Sequence, residues 1–283
     1  MNKTILFPTD FSDAADKAAI YALHLARCMG ARITTLHVYE SVSIAASHMS
    51  NTMAKIVEQN HLEALSSYQD VARVMREAAD NLGFSDVEIN HMMKSGERVL
   101  KTILAAERDE DPDLIVMGTT GAGWIKQLFT GSTTSEVMEN ATTPVLCVPE
   151  DAEFDGELDD VTLATTFRET ERKALDRLLE ITDSFKSRIH CVNILTDSKS
   201  NAEADMQKWQ SAYSDNDRIS FAIEEAKSIQ EGLISYLDAN KIDILCTVNR
   251  RRNMIQELFD HSLTKKLSYH TKYPILTFQE AHL

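Results

Sequence analysis

Short apolar runs alternate with longer amphipathic stretches along the chain. In the first half, runs rich in branched residues predict strands at 4–9, 32–39, 86–93, 113–118 and 144–149. The stretches between them predict helices, the first one capped by Ser12 and stopped by Gly30. Continuous apolar strands that alternate with helices are typical of a parallel sheet covered on both faces. The pattern therefore predicts a doubly wound α/β fold.

The pattern of predicted strands and helices occurs twice along the chain. Residues 3–18 resemble residues 160–175, and Phe11 aligns with Phe167. Near the end of each half, Pro144 aligns with Pro274. The number of positions between equivalent residues of the two halves is smaller near the end of each half than near its start. We therefore expect the second half to lack part of the stretch that corresponds to 47–83. We predict two tandem doubly wound domains, each with a five-stranded parallel sheet. Their expected bounds are 1–149 and 161–283, with 150–160 as an acidic, solvated linker.

The composition excludes several classes of partner. A net charge of -15 opposes sequence-independent binding to nucleic acid and docking on an anionic membrane. The sequence lacks an apolar run long enough to span a bilayer and shows no secretory signal, so we expect a cytoplasmic protein. The four cysteines are far apart and have no zinc-ligand spacing, which predicts reduced thiols.

The stretch from Gly118 to Thr134 holds four of the nine glycines, in the pattern G-x2-G-x9-G-S. It follows a predicted strand and precedes a predicted helix. Glycines there let the backbone approach a ligand closely, and free N–H groups with the helix dipole attract phosphate. Each glycine taken alone is more often an ordinary turn residue. The combined spacing favours a phosphate site that differs from the P-loop pattern.

Four side chains in or near other strands have two interpretations each. Asp10 follows the first strand, where it could bind a ribose, a base or a metal's water shell, or could instead cap the next helix. Val38 could form an apolar wall for a base or belong to the ordinary core. His37 and His91 lie in apolar strands, and we interpret both as hydrogen-bonded interior residues rather than ligands.

These motifs resemble the universal stress protein family. The resemblance is carried by PTDFS (8–12), LHVY (36–39), DLIVMGTTG (113–121) and the stretch 128–149, and the repeat is similar to the family's tandem form. It implies the family's five-stranded sheet, paired through the last strand. It also implies stress-linked binding of ATP, with Mg2+ or Mn2+ as a potential companion, in a sensor or signalling module. The residues that would contact the nucleotide are Pro8, Thr9, Asp10, Val38, Met117, Gly118, Thr120, Gly121, Gly131, Ser132, Thr133 and Thr134.

The second half has lost most of this motif. Its equivalents of Asp10, Gly118, Gly121 and Gly131 are Thr166, Val248, Arg251 and His261. We therefore expect it to bind no ATP and to replace the second subunit of a dimer, covering the edge strand of the first half. Whether two chains form a homodimer stays open. Arg250–Arg252 could hold another anion, although a solvated loop is favoured. We interpret Asp260–Ser262 as a turn that has lost its glycine rather than as a hydrolase triad.

Two other functions compete with nucleotide binding. One is a scaffold or partner-binding stress protein with an empty pocket, and the weaker one is a hydrolase or transferase that depends on Asp10 or His261. Any ATP hydrolysis should be slow, because Asp10 is the sole candidate base and no Walker lysine is present. Under the nucleotide hypothesis, Gly118→Val or Gly131→Val should abolish binding without unfolding the protein.

Overall fold

The computed structural model describes residues 3–40, 66, 69, 72–96, 98–119, 133–196, 201–249 and 272–283. The first half contains strands β1 (Thr4–Pro8), β2 (Arg32–Glu40), β3 (Ile89–Gly96), β4 (Leu114–Thr119) and β5 (Val145–Pro149). Its helices are α1 (Asp13–Met29), α2 (72–81), α3 (Val99–Glu110) and α4 (Thr133–Asn140). Strands and helices therefore alternate as the sequence predicts.

The second half repeats this succession as far as its third helix, within the residues that the structure describes. Its strands are β6 (Asp160–Ala164), β7 (Arg188–Leu195), β8 (Ile219–Glu225), β9 (Ile244–Asn249) and β10 (Ile275–Gln279). Its helices are α5 (Glu169–Thr182), α6 (Ala202–Ala212) and α7 (Ile229–Asn240), with short 3-10 turns at Asp183–Phe185 and Glu280–His282. The connection from β7 to β8 is much shorter than that from β2 to β3, which is where the sequence predicts the shortening.

The ten described strands form one sheet in the order β3-β2-β1-β4-β5-β10-β9-β6-β7-β8. Pairing is parallel within each half, as doubly wound folds require. The halves meet where β5 and β10 pair antiparallel, with Leu146 opposite Leu276. This is the pairing through the last strand that the resemblance implies.

Two apolar cores fill the two faces of the sheet, and each one runs through both halves. One lies under α1, α2, α5 and α6, where Leu25, Leu146 and Leu178 are almost fully buried. The other lies under α3, α4 and α7, where Ile103, Val137 and Leu237 are buried. Burial on this scale is the main force that stabilises the fold. Because both cores cross the β5–β10 junction, the halves are packed together as well as hydrogen-bonded.

The repeat extends to the backbone conformation of equivalent loops. Phe11 and Phe167 have φ values of 68° and 58°, the left-handed region that non-glycine residues seldom adopt. The preceding threonines also match, since Thr9 N–H donates to Leu36 O and Thr165 N–H donates to Val192 O. The sequence alignment of these loops therefore corresponds to a shared geometry.

Local signals explain the bounds of α1. The Ser12 side chain accepts a hydrogen bond from Ala15 N–H at 3.3 Å, and Gly30 ends the helix with a φ of 62°. Both ends were predicted. The prediction is less accurate for β3, which begins at Ile89 rather than at residue 86, because Val87 N–H closes a turn onto Phe84 O.

The segment between β5 and β6 differs from the expected solvated linker. Its acidic residues do face solvent, but Ala152 and Leu158 are each 1% exposed. The ring of Phe154 lies 4.5 Å from that of Tyr21, whose hydroxyl donates to Glu153 O. The expectation is wrong because three apolar residues interrupt the acidic run at positions that face α1. This segment joins the halves as a packed strap.

The strap also makes stability depend on pH through His24 on α1. The His24 ring lies edge-on to Phe84 at 4.8 Å and to Phe154 at 4.6 Å. Burial lowers the pKa of His24 below its usual value of 6.5, and Glu157 partly opposes this shift. A lowered folded-state pKa means that the contribution to stability is complete above pH 6.5 and is lost as the pH falls through the folded pKa.

We therefore expect the melting temperature to fall between pH 7.5 and pH 5, in part because the unfolded chain binds a proton at His24 more readily than the folded protein does. Differential scanning calorimetry of wild type and His24→Phe across about this range of pH tests the contribution. The variant should show a smaller fall, since phenylalanine fits an aromatic contact and does not titrate. An equal fall in both proteins would contradict the assignment.

Candidate functional site

Strand order places a crevice between the carboxyl ends of β1 and β4. These neighbouring strands are parallel, with Ile5 opposite Leu114 and Leu6 opposite Ile115. Their connections leave to opposite sides, α1 on one face and α4 on the other, so the loops diverge at this point. Doubly wound sheets bind ligands at such a switch in strand order.

Eight of the twelve predicted contact residues fall within the described part of the chain. Pro8 ends β1 and is followed by Thr9 and Asp10 at the crevice. Met117 and Gly118 lie near the end of β4, Val38 lies near the end of β2, and Thr133 and Thr134 begin α4. The Thr134 hydroxyl donates to Gly118 O at 3.4 Å, which joins the start of α4 to the end of β4. The other four, Thr120, Gly121, Gly131 and Ser132, lie outside the described residues, as do Arg250–Arg252 and Asp260–Ser262.

Asp10 presents a surface carboxylate at the crevice. Its Oδ1 accepts hydrogen bonds from Ser12 N–H at 3.2 Å and from the Ser12 hydroxyl at 2.7 Å. Ser12, not Asp10, is the N-cap of α1. The alternative that Asp10 caps α1 is therefore wrong. Asp10 instead accepts hydrogen bonds from Ser12, which is the residue that caps the helix. The residue remains exposed, and its position suits a polar ligand.

Gly118 has a packing role that the sequence did not predict. A Cβ atom there would lie 2.5 Å from the backbone carbon and oxygen of Ala14 and 2.6 Å from Ala15 N. No backbone can yield that much space without moving α1. The expectation that Gly118→Val leaves the fold intact is therefore wrong, since this glycine lets α1 cross directly over β4.

The equivalent residue in the second half gives the matching correction. Val248 is 2% exposed and belongs to the core beneath α1 and α5. The loss of this glycine counts among the reasons for expecting no ATP in the second half, but the Val248 side chain fills space in the core instead of a phosphate site. The difference between Gly118 and Val248 therefore concerns how closely a helix approaches the sheet.

Val38 and Met117 belong partly to the apolar core, as the simpler interpretation of Val38 predicts. Met117 is 6% exposed, and Val38 is half-buried beside the core under α3 and α4. Val38 keeps exposed surface near the end of β2, so a role as a wall for a planar base remains compatible with its position. Pro8 is buried at the end of β1.

Both strand histidines are hydrogen-bonded, as predicted, but they are only partly buried and so are not interior residues. His91 Nδ1 lies 2.7 Å from the Thr35 hydroxyl, and burial, reinforced by Arg76, lowers the pKa of His91. His37 Nδ1 lies 3.2 Å from Thr9 O, and its ring centroid lies 4.3 Å from that of Phe11. His37 therefore contacts the segment Thr9–Ser12, called the β1 loop from here on.

The corresponding segment of the second half, Thr165–Arg168, is called the β6 loop and is held by a buried carboxylate. Glu171 is fully buried, and its Oε2 accepts from the Thr165 hydroxyl at 2.7 Å and from Thr166 N–H at 3.0 Å. It also accepts from Arg168 N–H at 3.2 Å. Arg168 is equivalent to Ser12, so Glu171 takes over the donor that Asp10 binds in the first half.

Sequence reasoning missed Glu171. The usable signal is a glutamate three residues after the position that precedes a helix, the spacing at which a carboxylate reaches back to the N-terminal N–H groups. Its consequence for the site is direct. The carboxylate that is exposed in the β1 loop is replaced in the second half by one that is buried and committed to the fold.

Three further findings concern the described residues. Among them, no group of three or more His, Cys, Asp or Glu side chains is placed to hold a metal ion. No helix in the same part of the chain has the length and apolar character needed to cross a membrane. All four cysteines are free, and burial raises the pKa of Cys147, Cys191 and Cys246.

The fold and the crevice define a class: α/β proteins with a doubly wound sheet that offer a ligand site at the switch in strand order. The sequence model of the universal stress protein family matches residues 1–149. A universal stress protein of Thermus aquaticus is 35% identical over 148 residues, which cover 52% of this chain and 99% of that protein. The chain belongs to the universal stress protein family.

Two relatives extend the comparison over both halves. Universal stress protein Slr1230 of Synechocystis is 24% identical over 294 residues, covering 98% of this chain and 100% of that protein. A crystal structure of a universal stress protein from Archaeoglobus fulgidus superposes with a TM-score of 0.75 at 16% identity and covers 98% of both chains. These matches agree with the tandem form of the family.

Proposed function

We propose that the first half binds an adenine nucleotide, in the first instance ATP, in the crevice between β1 and β4. The observation that carries the proposal is that Thr9 and Asp10 follow β1 beside the end of β4, where Thr134 bonds Gly118 O, at the switch in strand order. Asp10 offers an exposed carboxylate for ribose or base donors, and the start of α4 offers N–H groups and a favourable dipole for phosphate. The protein would act as a sensor or signalling module in the response to stress.

The second half serves a structural purpose in this proposal. Thr166 replaces Asp10, and Glu171 occupies the N–H groups of the β6 loop from within the protein. A ligand carboxylate or hydroxyl would have to compete with a buried, hydrogen-bonded group. We therefore propose a binding domain at 1–149 and a companion domain at 161–283, joined by 150–160 and working as an intramolecular pair.

A divalent cation would enter with the nucleotide rather than bind beforehand. Asp10 is the one carboxylate among the predicted contact residues, and a single carboxylate makes a weak site for Mg2+ or Mn2+. Phosphate oxygens and water would supply the other ligands. The same residue is the sole candidate base, so any hydrolysis would be slow. Free cysteines suit a reducing compartment, and we propose the cytoplasm.

Asp10→Ala is expected to weaken ATP binding by about 10- to 100-fold, because a hydrogen bond to a charged group contributes about 1.5–3 kcal/mol. Isothermal titration calorimetry of the full chain with ATP, with and without Mg2+, measures the effect. Thr166→Ala, the equivalent change in the second half, is the matched control and should bind as wild type does. Gly131→Val tests the phosphate end of the site and should also weaken binding.

Mass spectrometry of the protein released from a native preparation provides an independent test. A co-purified adenine nucleotide supports the proposal. A clean preparation that shows no thermal shift with ATP, ADP, AMP or cyclic AMP contradicts it and favours the scaffold function. A loss of binding in Thr166→Ala equal to that in Asp10→Ala would place the ligand elsewhere.

A further inference from the structure

We propose that His37 is a positioning residue that holds the β1 loop in the conformation required for ligand binding. The proposal builds on the function proposed above, because the β1 loop carries Asp10. Its structural basis is the pair of contacts that His37 makes from β2 to this loop. One is a hydrogen bond to the loop's first carbonyl, and the other is ring contact with its third residue.

The hydrogen bond fixes which ring nitrogen carries a proton. Thr9 O can only accept, so Nδ1 of His37 must donate across the 3.2 Å that separates them. The peptide that follows this carbonyl leads directly into Asp10. The bond therefore sets the direction in which the chain leaves β1 and the place where the carboxylate is presented.

The ring contact supports a residue in an unfavourable conformation. Phe11 has a φ of 68°, and the left-handed region costs a bulky L residue roughly 1–2 kcal/mol. Such a conformation persists only where neighbouring groups hold it. Within the described residues, the ring of Phe11 has one aromatic partner, His37, at 4.3 Å with the planes inclined by 31°. Phe11 is only partly buried, so core packing contributes little to holding it there.

The second half holds the same conformation by different means. Phe167 is 2% exposed and packs against Trp209 at 5.7 Å and Phe221 at 6.3 Å. The residue equivalent to His37 is Asn193, and the β6 loop gains the buried Glu171 instead. A loop without a ligand is thus fixed by the core, whereas the loop that carries Asp10 is held from the surface by a histidine.

It follows that losing His37 should act on binding through the loop. Without the bond to Thr9 O and the contact with Phe11, the left-handed residue can relax, and the preceding Asp10 moves with it. His37→Phe keeps an aromatic ring but has no donor, while His37→Asn keeps a donor but has no ring. His91→Phe is the control, because it alters another half-exposed strand histidine that bonds a threonine away from the crevice.

The experiment combines affinity with a spectroscopic measurement on the full chain. ATP affinity is measured by calorimetry for wild type, His37→Phe, His37→Asn, Phe11→Ala and the double variant His37→Phe with Phe11→Ala. Backbone amide shifts of residues 9–12 are recorded by NMR without nucleotide. We expect His37→Phe to weaken binding about fivefold, as loss of one hydrogen bond does, and to shift the loop amides. His91→Phe should do neither.

The double variant separates positioning from direct contact. If His37 positions the loop, the losses of affinity from His37→Phe and Phe11→Ala should be less than additive, because both changes release the same segment. The positioning role would be overturned if the two losses of ATP affinity were additive. It would also be overturned if both His37 variants kept the wild-type ATP affinity and the wild-type amide shifts of residues 9–12. If wild type binds no nucleotide, the proposed function fails, while the amide shifts alone still decide whether His37 holds the loop.

Discussion

Gly118→Val is expected to destabilise the protein by at least about 3 kcal/mol, because the new side chain overlaps the backbone of α1. Even the Cβ atom would lie 2.5 Å from the carbonyl group of Ala14. Relief requires α1 to move away from the sheet, and α1 contributes Leu23, Leu25 and Tyr21 to the core. Urea unfolding followed by far-UV circular dichroism measures the change.

Gly83→Ala is a suitable control for this prediction. A Cβ at Gly83 would meet no atom within 4 Å, although its φ of 73° disfavours any side chain. The cost there should be about 1 kcal/mol, from conformation alone. Equal losses at both glycines would show that α1 adapts to a side chain at Gly118. Because unfolding would mimic a binding defect, Gly118 variants are unsuited to testing the ligand site.

Glu171→Ala is expected to cost about 3 kcal/mol, the range for leaving several buried donors without an acceptor. The carboxylate receives the Thr165 hydroxyl and two backbone N–H groups, and none of its surface is exposed. Glu169→Ala is the matched control on the same turn of α5. That residue is exposed and pairs with Arg172 at 2.8 Å, and surface pairs of this kind contribute less than about 1 kcal/mol.

Thermal and urea unfolding of both variants decides the matter. Glu171→Gln, which keeps one acceptor oxygen, should lie between wild type and the alanine variant. If Glu171→Ala were no less stable than Glu169→Ala, the β6 loop would not depend on this carboxylate. The contrast with the β1 loop, and the proposal that the second half binds no nucleotide, would then lose this support.

Much of the fold could be predicted from local patterns. Ser12 and Gly30 define α1 through capping chemistry that operates within a few residues, and the repeat predicts the second half from the first. Parallel pairing follows from apolar runs separated by helices. The start of β3 was misplaced because the turn at Phe84 depends on a backbone hydrogen bond that residue types do not specify.

The candidate site was less accessible to sequence reasoning. The strand-end residues Thr9, Asp10 and Gly118 could be found, since parallel strands bring their carboxyl ends together. The packing of Gly118 on Ala14 could not, because it depends on how closely a helix crosses a strand more than a hundred positions away. Glu171 was missed because a charged residue in a helix is usually solvated, and only its depth in the fold shows otherwise.

The antiparallel join of β5 and β10 has a consequence for assembly. The pairing of last strands that could join two identical subunits is made here within one polypeptide, so it forms without a second molecule. The unfolding midpoint should then be the same in dilute and concentrated solution, whereas that of an obligate dimer rises with concentration. A second copy cannot add to either of these strands without displacing its partner. Among the strands that the structure describes, only the outer two, β3 and β8, have a neighbour on one side alone.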